Sequence, residues 1–172
     1  DALDEADAAV ADKDDEVRGR LAVSVPVEFA RRLIAPHLGE LLERHPRLEL
    51  TLRVTDEVVD LLSERIDLAL RLGSSIVSDD VISQQVGRFR RWLVASPEYL
   101  ARTPPIAHPS ALQAHACLQY DYGSPAHYWR FEQDGATLQV PVTGRLRSNN
   151  ADILRQAALT GQGVALLSDW LG

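Results

Sequence analysis

Residues 19–73 read GRLAVSVPVEFARRLIAPHLGELLERHPRLELTLRVTDEVVDLLSERIDLALRLG, and their patterning decides the fold class. Leu21, Val23 and Val25 alternate with Ala22 and Ser24, the period of two that suits a strand. Pro26 follows, a residue tolerated in a helix's first turn, where its missing N–H costs nothing. Ala30, Leu33, Ile34, Leu38, Leu41 and Leu42 then recur at helical spacing, and His45-Pro46 stops that helix. Leu48, Leu50, Leu52 and Val54 alternate again. Val58, Val59, Leu61, Leu62 and Ile66 mark a short second helix. Ile66, Leu68, Leu70 and Leu72 alternate a third time, up to Gly73. Strands separated by helices imply parallel pairing through right-handed crossovers, hence an α/β sheet.

In such sheets ligands sit beyond the carboxyl ends of the strands, at helix N-termini. Three segments fall there: Ser24-Val25-Pro26-Val27-Glu28, Thr55-Asp56-Glu57 and Arg71-Leu72-Gly73-Ser74-Ser75. The alternative is that these are only tight turns, since fold does not fix function.

The same run resembles the start of the effector-binding domain of LysR-type transcriptional regulators. The likeness continues through RFRRWLVASPEYLART, HPSALQAHACLQY and VPVTGRLRSNNADILRQAALTGQGVALLSDWL, from about Val17 to the last residue. The resemblance implies a type 2 periplasmic-binding-protein-like fold, two α/β subdomains around an interdomain cleft. It implies the end of a linker helix over residues 1–17, a first subdomain over 18–91 and a second over 92–172. It also implies that the chain stops before the return to the first subdomain.

Composition agrees with an ordinary folded protein of 172 residues, 45% hydrophobic and 25% charged. No stretch approaches the ~20 apolar residues of a membrane helix, and no secretory signal is visible. Cys117, the one cysteine, excludes an intrachain disulfide and fits a reducing compartment, so a cytoplasmic location is expected. The net charge of −7 lies wholly in residues 1–17, where eight acids face Lys13 alone. Leu3, Ala6, Val10 and Val17 repeat there about every 3.5 residues, which favours a helix. The remaining bases are all arginines and are scattered; Arg88, Arg90 and Arg91 beside Trp92 form the densest group, read as a solvated strand edge or ion pairs rather than a DNA patch.

Further along, Val81 to Val86 reads as a short strand after the turn Ser78-Asp79-Asp80. Ser96-Pro97 opens a short helix, Pro109 a brief one through Ala114, and Cys117 to Tyr122 is a strand. Tyr128 to Glu132 and Leu138 to Val142 form a hairpin about Gln133-Asp134-Gly135, and Val142 to Leu146 gives another strand. Ser148-Asn149-Asn150 caps a helix carrying Ile153 and Leu154, which Gly161 ends, and Val164 to Leu167 is the last strand.

The five histidines lack metal-ligand spacing, no Gly-x-Ser-x-Gly elbow occurs, and Gly161-Gln162-Gly163 has the wrong context for a dinucleotide loop. No metal, cofactor or enzymatic activity is expected. Polar binding at the helix start is better founded, because unpaired N–H groups there hold a polar ligand without catalytic residues. The resemblance carries ligand binding onto Ser24, Pro26, Val27 and Glu28; Thr55, Arg71 and Gly73 at the neighbouring strand ends, and Asn149 and Asn150, complete the candidates. Glu28 counts against an anionic effector if it faces the ligand, and Arg71 either offsets it or pairs with Glu57 or Asp67. The expected protein is a non-enzymatic sensor of a small-molecule effector. It is expected to be a homodimer or higher homo-oligomer through Val27, Phe29, Leu33, Leu41 and Ile153, and to meet DNA only through an N-terminal domain absent here. The alternative with the same fold is a transporter's solute-binding protein.

Overall fold

Three parallel strands build the first sheet, with the first strand in the middle, as the alternating runs require. The structure is a computed structural model that describes residues 17–57, 59–73, 81–121, 128–133 and 135–171. The expected helix over residues 1–16, Val58 of the expected second helix, Ser74, Ser75, the turn at 78–80, Tyr122 and Asp134 of the hairpin turn lie outside them. The chain divides into two units, residues 1–72 and 73–172.

In the first unit, β1 (Arg18–Val25) pairs along its whole length with β2 (Arg47–Val54), from Arg18 opposite Arg47 to Val25 opposite Val54. Its other edge takes β3 (Leu68–Ala69), shorter than the run from Ile66 to Leu72. Asp67 N–H to Ala22 O and Leu70 N–H to Ser24 O extend that pairing by one bond at each end. Val23, Val25 and Ala30 form the core, with Phe29, Ile34, Leu50 and Leu52 packed on it.

The expected helix spans 27–44 (α1) but is not uniform. Pro36 sits in its middle and offers no N–H to the turn before it. The chain widens over Ala30–Ile34, where Ala35 N–H reaches back five residues to Ala30 O. It then tightens over Ala35–His37, with Leu38 N–H on Ala35 O, before α-helix resumes over Leu38–Arg44. Leu33, Leu41 and Leu42 of its apolar stripe are exposed, while Ala30 and Ile34 pack on the unit's core.

The second helix of the sequence reading is only one turn. Asp60 Oδ1 accepts from Leu62 and Ser63 N–H at its head. At its tail Ile66 N–H donates to Leu61 O and Arg65 N–H to Leu62 O, the paired bonds of a Schellman stop. Arg65 takes the left-handed position, φ 53°, that glycine usually fills.

The second unit's sheet runs β4-β9-β5-β8. Strand β4 (Arg91–Val94) is antiparallel to β9 (Val164–Ser168); β5 (Cys117–Tyr120) and β8 (Arg147–Ser148) are parallel to it and to one another. Residues 82–90 are irregular, so the strand expected over Val81 to Val86 does not form; Ile82 and Val86 are exposed, and no ladder partner occurs among the described residues. α2 (Pro97–Ala101) starts on Ser96, whose Oγ accepts from Tyr99 N–H, and a 3-10 turn covers Pro109–Ala114. The hairpin forms as read, β6 (Tyr128–Gln133) against β7 (Ala136–Pro141).

The side-chain period of two splits this sheet into two faces. Cys117 and Val164 point into a core with Tyr99, Leu112, Trp129, Val140 and Val142. Leu118, Ala165 and Leu167 point the other way, against Leu154 and Ala158 of α3 (Ala151–Leu159) and Leu171. Gly161 ends α3 at φ 75° with the same two-bond stop, Gln162 N–H to Ala157 O and itself to Ala158 O.

The strand expected over Val142 to Leu146 is displaced to Arg147–Ser148 by a bulge. Cys117 and Gln119 N–H, two residues apart, donate to Thr143 and Leu146 O, three apart, so this side carries one extra residue. Gly144 lies inside it because a Cβ there would sit 1.8 Å from Cys117 O.

Candidate functional site

The carboxyl ends of β1, β2 and β3 bring Ser24, Asp56 and Arg71 together. Ser24 is fully buried, held by β1 between its two neighbours, and its Oγ accepts from Arg71 Nη2 at 2.8 Å. Arg71 anchors a second N–H on Leu70 O at 2.8 Å. Thr55 N–H continues the ladder to Val25 O, and Thr55 Oγ1 accepts from Glu57 N–H, which fixes the turn carrying Asp56. Asp56 Oδ1 then accepts Val27 N–H at 3.0 Å.

Sequence reasoning passed over Asp56, though it lies in one of the three flagged segments. Val27 heads α1, so its N–H is the one expected to receive a ligand; the protein's own carboxylate already occupies it. Pro26 precedes it and is buried, with Ala30 N–H on its carbonyl at 2.9 Å. A local clue exists in retrospect: Asp is a preferred partner of helix-start N–H groups, here supplied from 29 residues away.

Glu28 is buried, and its carboxylate is taken within its own helix: Arg31 donates from Nη2 at 2.6 Å and Nε at 3.1 Å, and Arg32 from Nε at 3.5 Å. Its charge is therefore balanced locally. Arg71 pairs with neither Glu57 nor Asp67, the partners offered for it; Asp67 Oδ2 instead accepts Ala22 N–H.

Burial pushes the Asp56 carboxyl above its ordinary value of 3.8; the Val27 bond works against that shift, Glu28 adds to it, and Arg71 opposes it. Burial lowers Arg71, with Asp56 acting in the opposite sense. The two thus sense one another without forming an ion pair. Gly73, at φ 126°, is exposed and turns the chain away after β3.

In the second unit Asn150 spends its side-chain oxygen on capping α3, accepting Ile153 N–H at 3.1 Å, while Asn149 is exposed. Among the described residues no group of three or more His, Cys, Asp or Glu is placed to hold a metal ion. No described helix is long and apolar enough to cross a membrane.

Comparison with known proteins follows the same lines. The sequence profile of the LysR substrate binding domain matches residues 14–172. The HTH-type transcriptional regulator DmlR of Escherichia coli K12 is 35% identical over 89% of this chain and 50% of its own. The HTH-type transcriptional regulator PtxR of Pseudomonas aeruginosa is 30% identical over 98% of this chain and 55% of its own. The chain thus spans about half the length of the curated relatives it matches. Among solved structures, CrgA, a LysR-type transcriptional regulator from Neisseria meningitidis, superposes with a TM-score of 0.77 at 25% identity, over 99% of this chain and 57% of its own. Full-length AphB, the Vibrio cholerae virulence activator, gives 0.75 at 25% identity, over 99% and 58%. These neighbours share the type 2 periplasmic-binding-protein-like α/β fold expected from the sequence. The relatives are regulators of transcription and not solute-binding proteins of transporters. From its sheets to its profile match, the chain belongs to the LysR substrate binding domain family.

Proposed function

We propose that this chain is the effector-sensing part of a LysR-type transcriptional regulator, binding a small molecule at the strand ends that carry Ser24, Asp56 and Arg71. The family match over residues 14–172 is the observation that carries the reading. Within it, residues 1–17 end a linker helix, 18–91 are the first regulatory subdomain and 92–172 the second. Ser24, Pro26, Val27, Glu28, Thr55, Arg71 and Gly73 frame the ligand site at these strand ends, and Asn149 is a separate candidate in the second subdomain. Binding acts by shifting populations: the ligand favours one arrangement of a dimer, and linker helices pass this to DNA-binding domains. The role is non-enzymatic and cytoplasmic.

Dimerisation falls on the exposed apolar residues of α1 and α3. Leu33, Leu41 and Ile153 are 41, 38 and 52% exposed, which suits an interface; Val27 is half-buried, and Phe29 is largely spent on its own core. A thermal-shift screen of metabolites against the protein and its Ser24→Ala variant tests the site. A compound that stabilises the parent, loses its effect in the variant and changes operator binding by the whole regulator supports the reading. Stabilising compounds indifferent to Ser24→Ala, Arg71→Gln and Asn149→Ala alike refute it.

A further inference from the structure

We propose that the break at Pro36 is a hinge in α1, which lets its outer half, Leu38–Arg44, move independently of the half that borders the ligand site, residues 27–34. The inference rests on the reading of α1 as both a wall of that site and part of the dimer face. Three hydrogen-bond spacings meet within this one helix. Ala35 N–H reaches back to Ala30 O, Leu38 N–H to Ala35 O and His45 N–H to Leu41 O, so a wide turn and a tight one precede the ordinary helix. Pro36 has no N–H to offer the turn before it, and its ring crowds the carbonyl four residues back, which interrupts the regular ladder. Ile34 and His37 flank the tight turn at φ −102°, against about −63° in a regular α-helix. Such a tight stretch inside a helix is a form that hinges take.

The two halves are held differently. The residues that α1 packs on the unit's core, Phe29, Ala30 and Ile34, all precede Pro36. The same half is tied at its start: Val27 N–H donates to Asp56 Oδ1, Ala30 N–H donates to Pro26 O, and the buried Glu28 carboxylate accepts from Arg31 and Arg32. No residue of Leu38–Arg44 is buried. Its tie lies at the far end, where Leu48 N–H donates to His45 O and the chain enters β2. A break between a well-packed half and a poorly packed one leaves the second as the part that moves. The site's wall therefore keeps its geometry while the dimer face adjusts: Leu33 gives a partner a fixed contact, and Leu41 and Leu42 a movable one.

The test is amide-nitrogen relaxation dispersion on this chain and its Pro36→Ala variant. Amides of Leu38–Arg44 are expected to show exchange on the microsecond-to-millisecond scale of hinge motion, and those of Val27–Ala30 none. Pro36→Ala restores an N–H to the ladder and should quench that exchange, with the far-UV spectrum showing the fold retained. By sedimentation equilibrium the variant should dimerise about 5-fold more weakly or worse, because a straightened α1 no longer adjusts to its partner. Exchange that is absent from Leu38–Arg44, equal in both halves or unchanged by Pro36→Ala would overturn the hinge. Dimerisation unaltered within about 2-fold would overturn its role at the partner face. If the exchange behaves as expected while no metabolite binds in a Ser24-dependent way, the hinge stands and the ligand-site reading falls.

Discussion

Gly144→Ala should be a severe change for the second unit, although it adds one methyl group. The new Cβ would sit 1.8 Å from Cys117 O and 2.8 Å from Cys117 C, both backbone atoms that no rotamer change moves. Bringing the pair to ordinary contact forces the bulge strand off β5. Cys117 N–H to Thr143 O at 2.8 Å and Gln119 N–H to Leu146 O at 3.1 Å are the bonds at risk. Each buried backbone bond left unmade costs about 1–3 kcal/mol, and Val142 is drawn out of the core as the strand shifts, so a loss of about 3–5 kcal/mol is expected. In a unit of this size that lowers the melting temperature by roughly 15–30 °C. Thermal melts followed by far-UV circular dichroism measure it, with Gly39→Ala as the control: nothing lies within 4 Å of a Cβ there. That exposed helical site should gain about 0.5–1 kcal/mol from alanine. A Gly144→Ala protein melting within about 2 °C of the parent would refute the bulge argument.

Arg65→Gly should stabilise the first unit by about 0.5–1 kcal/mol, read as a higher urea midpoint at unchanged slope, because the left-handed position favours glycine. Asn150→Ala should lose about 1 kcal/mol and Asn150→Asp much less, since aspartate restores the acceptor for Ile153 N–H. Asp56 has a folded-state pKa above 3.8, so the folded state holds its proton more tightly than the unfolded state. Its contribution to stability therefore falls as pH rises from 3.8 through the folded value; Asp56→Asn keeps the acceptor for Val27 N–H and should flatten that part of the melting profile. Cys117 is buried with its thiol pushed up to about 11 and its Sγ on Leu112 O, so Ellman's reagent should react only on unfolding.

The features legible in the sequence are those set by period. Alternation placed β1 and β2 to within three residues, and proline, serine and glycine marked the ends of α2 and α3, because local chemistry decides caps. What escaped was set by partners far along the chain or by backbone geometry. The Pro36 defect was hidden because the apolar spacing either side of it is still helical. The strand at Val142 to Leu146 was misplaced because a bulge leaves no mark on alternation beyond Gly144. Val81 to Val86 has the composition of a strand but no ladder partner among the described residues, and pairing is not a property of the segment. At the site, Ser24 and Arg71 were named from their positions at strand ends. Asp56 was missed because occupation of Val27 N–H depends on a turn fixed by Thr55, and the pairing of Glu28 with Arg31 and Arg32, three and four residues on in its own helix, was not foreseen.

The order of strands in the second sheet also bears on how the protein is made. Strand β9 lies between β4 and β5, so Arg91 pairs with Ser168 and Cys117 with Val164 across it. As the chain leaves the ribosome, β4 and β5 are synthesised long before the strand that joins them, and their apolar faces wait uncovered. The first unit has no such delay, since β1 meets β2 and β3 by residue 69. Strand order therefore leads us to expect folding in two stages, an early nucleus around β1 and a late closure by β9.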